Sequence, residues 1–182
     1  MSGAVEEIEA LFARHGGETY GEGVTQLEHA LQAARRAEEA GAGDELVTAA
    51  FLHDLGHLLN LQGATPTARG IDDQHQYFAI PFLRPVFPAA VVEAIRLHVD
   101  AKRALCALEP DYYEALSADS KRSLTLQGGV FSEQETQAFL AKPFAEDAMR
   151  VRRWDDAAKV AGAPTPPIGH YLEIASRCAL SD

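Results

Sequence analysis

The segment Phe51-Leu-His-Asp-Leu-Gly-His57 places a histidine beside an aspartate inside an apolar run, and a further histidine follows one helical turn later. A buried carboxylate without a partner costs several kcal/mol or shifts its pKa until it becomes neutral. A metal ion removes this cost, because the two oxygens of Asp54 can bridge two metals while His53 binds one of them. The alternative interpretation is a hydrogen-bonded core histidine beside a helix-capping aspartate. The supply of further ligands elsewhere in the chain decides between the two.

The composition indicates one domain with a full hydrophobic core, since the chain has 182 residues and 47% of them are hydrophobic. Residues 1–17 have the pattern of a short acidic amphipathic helix and not of a secretory signal. No apolar run approaches the roughly 18 residues that a membrane span needs. Cys106 and Cys178 form neither a disulfide framework nor a metal-binding pattern. We therefore expect a cytoplasmic protein with reduced cysteines and no membrane partner.

The net charge argues against one class of partner. A formal charge of -11 at pH 7 makes nucleic acid an unfavourable ligand. If the ligand is a small anion, a local cluster of basic residues must overcome the overall negative field.

Apolar residues recur at helical spacing along the chain, which predicts an all-α fold in a single domain over 1–182. The core is expected over about 20–160, with N- and C-terminal helical extensions. Asp44 before an apolar run, and Ser132 with Glu135 in a capping-box pattern, are the clearest start signals. Helices are predicted over 4–14, 22–39, 44–54, 73–83, 88–105, 117–126, from 132 onward and over 144–160, before a C-terminal segment around 171–174.

Four of the seven histidines lie on separate predicted helices at core-facing positions: His29, His53, His75 and His98. One histidine on an apolar face is more often a core residue than a ligand, but four of them beside Asp54 are hard to explain without metal. Imidazole and carboxylate ligands suit iron, manganese or zinc, and the lack of a thiolate pattern argues against a zinc finger. A late acid is needed to close the site. The adjacent Asp155 and Asp156 both qualify.

Two basic residues, Lys102 and Arg152, each lie about one helical turn from a candidate ligand. Cations beside a metal site do not stabilise the metal, but they suit an anionic substrate group, which an arginine can hold bidentately. Ser120 and Ser123 are three residues apart on a short predicted helix and can donate further hydrogen bonds. The alternative is that both cations are solvated helix charges.

These segments together resemble the HD-domain superfamily, and more narrowly its mixed-valent diiron oxygenases, which include myo-inositol oxygenase and phosphonate-cleaving enzymes. The His-Asp pair is moderately specific, whereas the later segments are more specific because HD phosphohydrolases do not need them. The similarity covers about Tyr20 to Lys159. Its segments are Gly21-Glu22 before His29, Leu97-His98-Val99 followed by Ala101-Lys102-Arg103, Ser120 to Gly129, and Arg152 to Asp156.

The resemblance implies a single HD-domain helical bundle that holds two iron ions in a mixed-valent Fe(II)/Fe(III) state and uses O2 as co-substrate. Asp54 would bridge the two irons. The remaining implied ligands are His75 and His98 on one iron, and His29, His53 and Asp155 on the other. Asp156 stays the alternative to Asp155.

The resemblance also implies roles around the substrate. His57 would lie near the substrate without binding metal, with a hydrogen-bonded core histidine as the alternative. Tyr20 would respond to substrate, and Glu22 would receive a substrate ammonium, with a helix-start charge as the alternative for Glu22. The implied phosphonate-binding residues are Lys102, Ser120, Ser123 and Arg152.

The activity implied by the resemblance is oxidative cleavage of the carbon–phosphorus bond of a small 1-hydroxyphosphonate. The preferred substrate is 2-amino-1-hydroxyethylphosphonate, converted with O2 to glycine and phosphate, after a separate phosphonate hydroxylase has acted. Three alternatives remain: the trimethylammonium analogue, giving glycine betaine and phosphate; a metal-dependent HD phosphohydrolase of a nucleotide or phosphomonoester; and a non-catalytic HD binding module.

Overall fold

The computed structural model describes residues 3–19, 23–61, 66–72 and 74–181. Across these ranges every regular element is helical, and extended backbone pairs only in an antiparallel bridge between Thr19 and Thr25. The prediction of an all-α fold is confirmed. Within the same ranges, no helix combines the length and the apolar composition that a membrane crossing requires.

The regular elements of the described residues are α-helices and one short 3₁₀ turn. They are α1 (Gly3–His15), α2 (Gln26–Glu39), α3 (Asp44–Leu52), α4 (Leu55–Leu59), a 3₁₀ turn (Pro66–Arg69), α5 (His75–Phe78), α6 (Ile80–Leu83), α7 (Ala89–Leu108), α8 (Tyr112–Ala115), α9 (Ala118–Leu126), α10 (Glu133–Leu140), α11 (Ala145–Ala157) and α12 (Ile168–Cys178).

The core forms around α7, against which both α3 and α11 pack, while α2 packs against α3 and α11. The buried face of α2 is rich in alanine, and these short side chains let α2 approach two neighbours closely. Phe51 on α3 stacks against Phe12 of α1 and Tyr171 of α12, with ring centroids 5.1 and 5.8 Å apart. The terminal helices thus cover the centre of the bundle, and α2, α3, α7 and α11 carry or flank the candidate metal ligands.

The start of α2 differs from its prediction. The helix begins at Gln26, and the predicted start at Glu22 is wrong, because Thr25 and Glu28 form a capping box there. The Glu28 amide donates to Thr25 Oγ1 at 3.1 Å, and the Thr25 amide donates to Glu28 Oε2 at 2.8 Å. Gly23, with φ of +83°, turns the chain just before this cap.

Asp44 does not cap α3. Gly43 occupies the N-cap position, and Asp44 is the first helical residue, where its carboxylate accepts a 2.7 Å hydrogen bond from Arg177 Nε. By contrast, the capping box predicted at Ser132 and Glu135 is confirmed at the start of α10.

Three later boundaries also differ. The segment predicted as one helix over 73–83 forms two short helices, α5 and α6, and Pro81 lies in the first turn of α6. The helix predicted to end at about Leu105 continues to Leu108, and α8 follows as an unpredicted short helix. The helix α11 ends at Ala157, three residues before the predicted end.

Candidate metal centre and cation pocket

The His53-Asp54 pair lies at a break between two helices. The helix α3 ends at Leu52 and α4 begins at Leu55, so the pair is not inside one continuous helix as the pattern predicted. Consecutive side chains of a regular α-helix point roughly 100° apart. At the break, both side chains reach the same histidine: the Nε2 atom of His29 lies 3.1 Å from His53 Nε2 and 3.3 Å from Asp54 Oδ2.

Gly56 allows the second half of the site to approach the first. A Cβ atom at this position would lie 1.9 Å from the carbonyl oxygen of His75, so a larger residue would push α4 and α5 apart. The close approach stacks the His57 ring on the His75 ring, with centroids 4.2 Å apart and planes 19° from parallel. Gly56, within the segment 51–57, therefore allows His75 to lie against Asp54.

The carboxylate of Asp54 divides the ligands into two groups. Its Oδ2 faces His29 and His53, at 3.3 and 3.5 Å from their Nε2 atoms. Its Oδ1 faces His75 and His98, at 3.2 and 3.7 Å from their Nε2 atoms, and these two nitrogens are 3.1 Å apart. This arrangement, with one oxygen for each histidine pair, is that of a carboxylate shared by two cations.

The histidine rings are oriented by the backbone. Nδ1 of His29 lies 2.9 Å from the Ala158 carbonyl, and Nδ1 of His53 and of His98 lies 2.8 and 2.6 Å from carbonyls one turn earlier. A ring that donates Nδ1–H to a carbonyl presents the lone pair of Nε2. In its neutral form such a ring has no proton on Nε2, so it can bind a metal ion through this atom.

The distances and the unpaired oxygens fit metal ions. Ligand bonds of about 2.1 Å at right angles separate two ligand atoms by roughly 3 Å, close to the separations found in each group. Asp54 Oδ2 and Asp155 Oδ1 are buried, and neither finds a hydrogen-bond donor in the described part of the chain. Buried carboxylate oxygens without donors need a cation.

The pKa values express the same demand for positive charge. Burial by itself would lower the pKa of His29, but the carboxylates of Asp155 and Asp54 raise it to about 9. Burial lowers the pKa of His98 to about 4, so this ring is neutral and able to bind metal. Although burial disfavours its charge, Asp54 has a pKa well below the usual range because four neighbouring histidines favour the carboxylate.

The choice between the two consecutive aspartates of α11 follows from the geometry. Asp155 is buried, and its Oδ1 lies 3.3 Å from His29 Nε2 and 3.8 Å from His53 Nε2. Asp156 instead pairs with Arg152 and accepts a hydrogen bond from Tyr112. The structure therefore brings Asp155 to the histidines, and Asp156 is a partner of Arg152 and not a solvated residue.

The two predicted basic residues are buried and lie against the two predicted serines; we call these four residues the cation pocket. Lys102 is 2% exposed, and its Nζ donates to Ser123 Oγ at 2.6 Å. Arg152 is 4% exposed, and its Nη2 donates to Ser120 Oγ at 3.2 Å. The solvated-charge alternative for Lys102 and Arg152 is wrong.

Lys102 has an unusual environment for a buried ammonium. No carboxylate among the described residues comes within 4 Å of its ammonium nitrogen, which donates a hydrogen bond to the Ser123 hydroxyl. Burial and then the nearby Arg152 lower the pKa of Lys102 to about 7. Asp155 and Asp156 pair with Arg152, so the ammonium form of Lys102 is the charge of the cation pocket without a close carboxylate among the described residues, and a bound anion would stabilise it.

Comparisons with known proteins agree with this chemistry. A model of the HD domain matches residues 27–156. The hydroxymethylphosphonate dioxygenase of Gimesia maris is 43% identical over 175 residues, which cover 96% of this chain and 87% of that protein. The glycine-betaine-forming 1-hydroxy-2-(trimethylamino)ethylphosphonate dioxygenase of Leisingera caerulea is 38% identical over 174 residues, which cover 95% of this chain and 89% of that protein. The chain belongs to the HD-domain phosphonate oxygenases.

Membership of this family makes the enzyme an oxygen-using oxidoreductase with a metal site, and it removes the phosphohydrolase and non-catalytic-module alternatives. An uncharacterized protein of Acanthamoeba polyphaga mimivirus is also similar, with 34% identity over 173 residues covering 93% of this chain and 79% of that protein.

The remaining predicted site residues of this oxygenase fall in two places. The His57 side chain is 21% exposed, and its Nε2 lies 3.9 Å from Asp54 Oδ1, at the edge of the ligand cluster and farther than the four ligand histidines. His57 therefore lies next to the candidate metal centre. Tyr20 and Glu22 lie outside the described residues.

Two residues that contact Arg152 were not predicted as its partners from the sequence: Tyr112 and Asp156. Tyr112 lies on the unpredicted helix α8 and contacts both Arg152 and Asp156. The two oxygens of Asp156 occupy Nε and Nη2 of Arg152, so this pair of donors is not available for the bidentate grip on a substrate that the sequence suggested. The available signal was the i, i+4 spacing of Arg152 and Asp156, which is typical of a helical ion pair.

Proposed function

We propose that this enzyme is a diiron oxygenase that cleaves the carbon–phosphorus bond of a small 1-hydroxyphosphonate and releases phosphate. Two irons in the mixed-valent Fe(II)/Fe(III) state would share Asp54, one of them held by His75 and His98 and the other by a second set of ligands. That second set is His29, His53 and Asp155. The two-sided arrangement of ligands around Asp54 and the unpaired buried oxygens support two metals.

The observation that carries the substrate class is the buried ammonium of Lys102, which has no carboxylate within 4 Å among the described residues. It lies one helical turn from His98 on α7, so an anion bound to it would be next to the metals. A phosphonate supplies the missing negative charge, and its attached carbon then lies toward the ligand cluster. Both dioxygenase relatives are named for a hydroxylated phosphonate.

The chain's own residues would bind and orient this substrate. Bound iron supplies the activation of O2, the redox chemistry and a Lewis acid for the substrate oxygens. Lys102 and Arg152 would face the phosphonate and Ser120 would donate a hydrogen bond to it, while Ser123, whose hydroxyl donates to the Ser120 carbonyl at 3.1 Å, would hold Lys102. His57, at the partly exposed edge of the site, would contact the carbon end of the substrate. Together they hold the scissile bond against the metals.

Within this class we propose 2-amino-1-hydroxyethylphosphonate as the substrate, with glycine and phosphate as products and a separate hydroxylase supplying the C1 hydroxyl. The two relatives name alternatives that differ beyond C1: hydroxymethylphosphonate has no second carbon, and the other compound has a trimethylammonium group on C2. Glu22 is the proposed acceptor for the ammonium, and Tyr20 is proposed to respond to substrate. A primary ammonium donates up to about three hydrogen bonds, whereas a trimethylammonium donates none.

The test is anaerobic loading with Fe(II), followed by measurement of O2 consumption and phosphate release with each of the three phosphonates. We expect release of phosphate only when both iron and O2 are present, with the highest kcat/KM for the amino compound. Glu22→Ala should lower that kcat/KM and leave the value for hydroxymethylphosphonate unchanged. Phosphate release from phosphomonoesters without O2, with zinc or magnesium in place of iron, would contradict the proposed reaction.

A further inference from the structure

Arg152 is held on one side by two residues that bind neither the metal ligands nor the serines of the cation pocket. Asp156 accepts hydrogen bonds from Nε, at 3.2 Å, and from Nη2. Tyr112 donates its hydroxyl hydrogen to Asp156 and accepts a hydrogen bond from Arg152 Nε at 3.3 Å. Two donors of one guanidinium edge on one carboxylate fix the plane of the guanidinium, because both groups are rigid and flat.

The opposite edge of the guanidinium faces the metal ligands. Nη1 lies 2.8 Å from Asp155 Oδ2, and the other oxygen of Asp155 faces His29. Each terminal nitrogen of a guanidinium carries two N–H bonds in the plane of the group. Asp155 takes one N–H of Nη1, so the direction of the second is set by the plane that Asp156 and Tyr112 impose.

We propose that Tyr112 and Asp156 are positioning residues that set the orientation of Arg152, so that its Nη1 donates to the phosphonate beside the metal ligands. This inference rests on the proposed function. Burial raises the pKa of the Tyr112 hydroxyl, which therefore remains a hydrogen-bond donor to Asp156 at every pH at which the enzyme is assayed. The grip on the substrate would then depend on residues that do not touch the substrate.

The same helix provides a matched control. Arg153, the next residue of α11, also donates from two guanidinium nitrogens to one carboxylate, here from Nη1 and Nη2 to Glu109, but this pair is on the surface with side chains 47% and 43% exposed. Glu109→Gln therefore removes an arginine–carboxylate pair of the same chemistry from the same helix, away from the metals. It should leave kcat/KM and phosphate binding unchanged.

The experiment is a double-mutant cycle on the iron-loaded enzyme, in which calorimetric titration gives the dissociation constant of inorganic phosphate and steady-state kinetics give kcat/KM. Asp156→Asn should raise the dissociation constant of phosphate and lower kcat/KM, each by about 10- to 100-fold, and Tyr112→Phe by about 2- to 10-fold. In an Arg152→Met background, either substitution should change these constants by less than about twofold, because both act through Arg152. Iron content and the thermal midpoint are measured for every variant.

Two outcomes overturn the inference: additive effects in the Arg152→Met background, or loss of activity that follows loss of iron while the dissociation constant of phosphate is unchanged. The phosphate measurement also separates this inference from the proposed function. A wild-type enzyme that cleaves no 1-hydroxyphosphonate, but loses phosphate binding through Asp156→Asn as described, refutes the function and supports the positioning role. Turnover by wild type with an additive cycle supports the function and refutes the positioning role.

Discussion

Lys102→Met should make this enzyme more stable but less active. The buried ammonium destabilises the fold, whereas it would bind the negatively charged substrate. The side chain is 2% exposed and donates to Ser123 Oγ at 2.6 Å. Losing one charge-assisted hydrogen bond to the phosphonate costs roughly 1.5–3 kcal/mol, so kcat/KM should fall by about 10- to 150-fold. Replacing a poorly compensated buried charge with an apolar side chain of similar length should raise the free energy of unfolding by about 1–4 kcal/mol.

The gain in stability should depend on pH. In the folded chain burial lowers the pKa of Lys102 from 10.5 to about 7, so between these values the unfolded state binds more protons than the folded state. The ammonium therefore destabilises the fold fully below pH 7, and this penalty disappears as the pH rises toward 10.5. The advantage of Lys102→Met should be largest at or below pH 7 and should shrink through that window.

The assay is chemical denaturation of wild type and variant at several pH values, together with steady-state kinetics and iron analysis. Lys121→Met is the matched control, because Lys121 lies on α9 between the two serines of the cation pocket but interacts with Glu114 on the outside of the helix. It should change neither quantity. A Lys102→Met variant that is less stable than wild type at pH 7, or that keeps the wild-type kcat/KM, would refute this reasoning.

Three further predictions follow from the site and from the start of α2. Asp54→Ala should lose both metals, since each of its oxygens faces one histidine pair, and two retained irons per chain by metal analysis would contradict this. Gly56→Ala should destabilise the fold and reduce iron content, because the new Cβ would lie 1.9 Å from the His75 carbonyl oxygen; thermal unfolding and metal analysis measure both effects. Thr25→Ala should lower the free energy of unfolding by about 0.5–2 kcal/mol through loss of the capping box, with KM unchanged.

The kinds of residue at the site could be predicted from the sequence. Histidines at core-facing positions of separate helices beside an adjacent His-Asp pair pointed to metal, and basic residues one turn from two of the ligands pointed to an anion. These inferences need only local spacing, because residues three or four apart share a face of a helix. Helix starts with strong capping patterns, such as Ser132 with Glu135, could be predicted for the same reason.

The geometry between helices could not be predicted in this way. The break after Leu52 cannot be predicted from a continuous apolar run. It nevertheless allows the side chains of His53 and Asp54 to approach the same residue, His29. The 3.3 Å approach of Asp54 to His29 depends on how α3 packs against α2, which spacing along the chain does not report. Tyr112 was missed because its short helix has no periodic signal.

The sequence by itself determined an all-helical domain, the set of ligand types and the presence of two cations beside them. Only the tertiary structure decided which of two consecutive aspartates faces the candidate ligand histidines. Apolar residues occur on several sides of α11, so its rotation is set when Ala148 and Val151 pack into the core. That rotation turns Asp155 toward the histidines and leaves Asp156, roughly 100° around the helix, to hold Arg152.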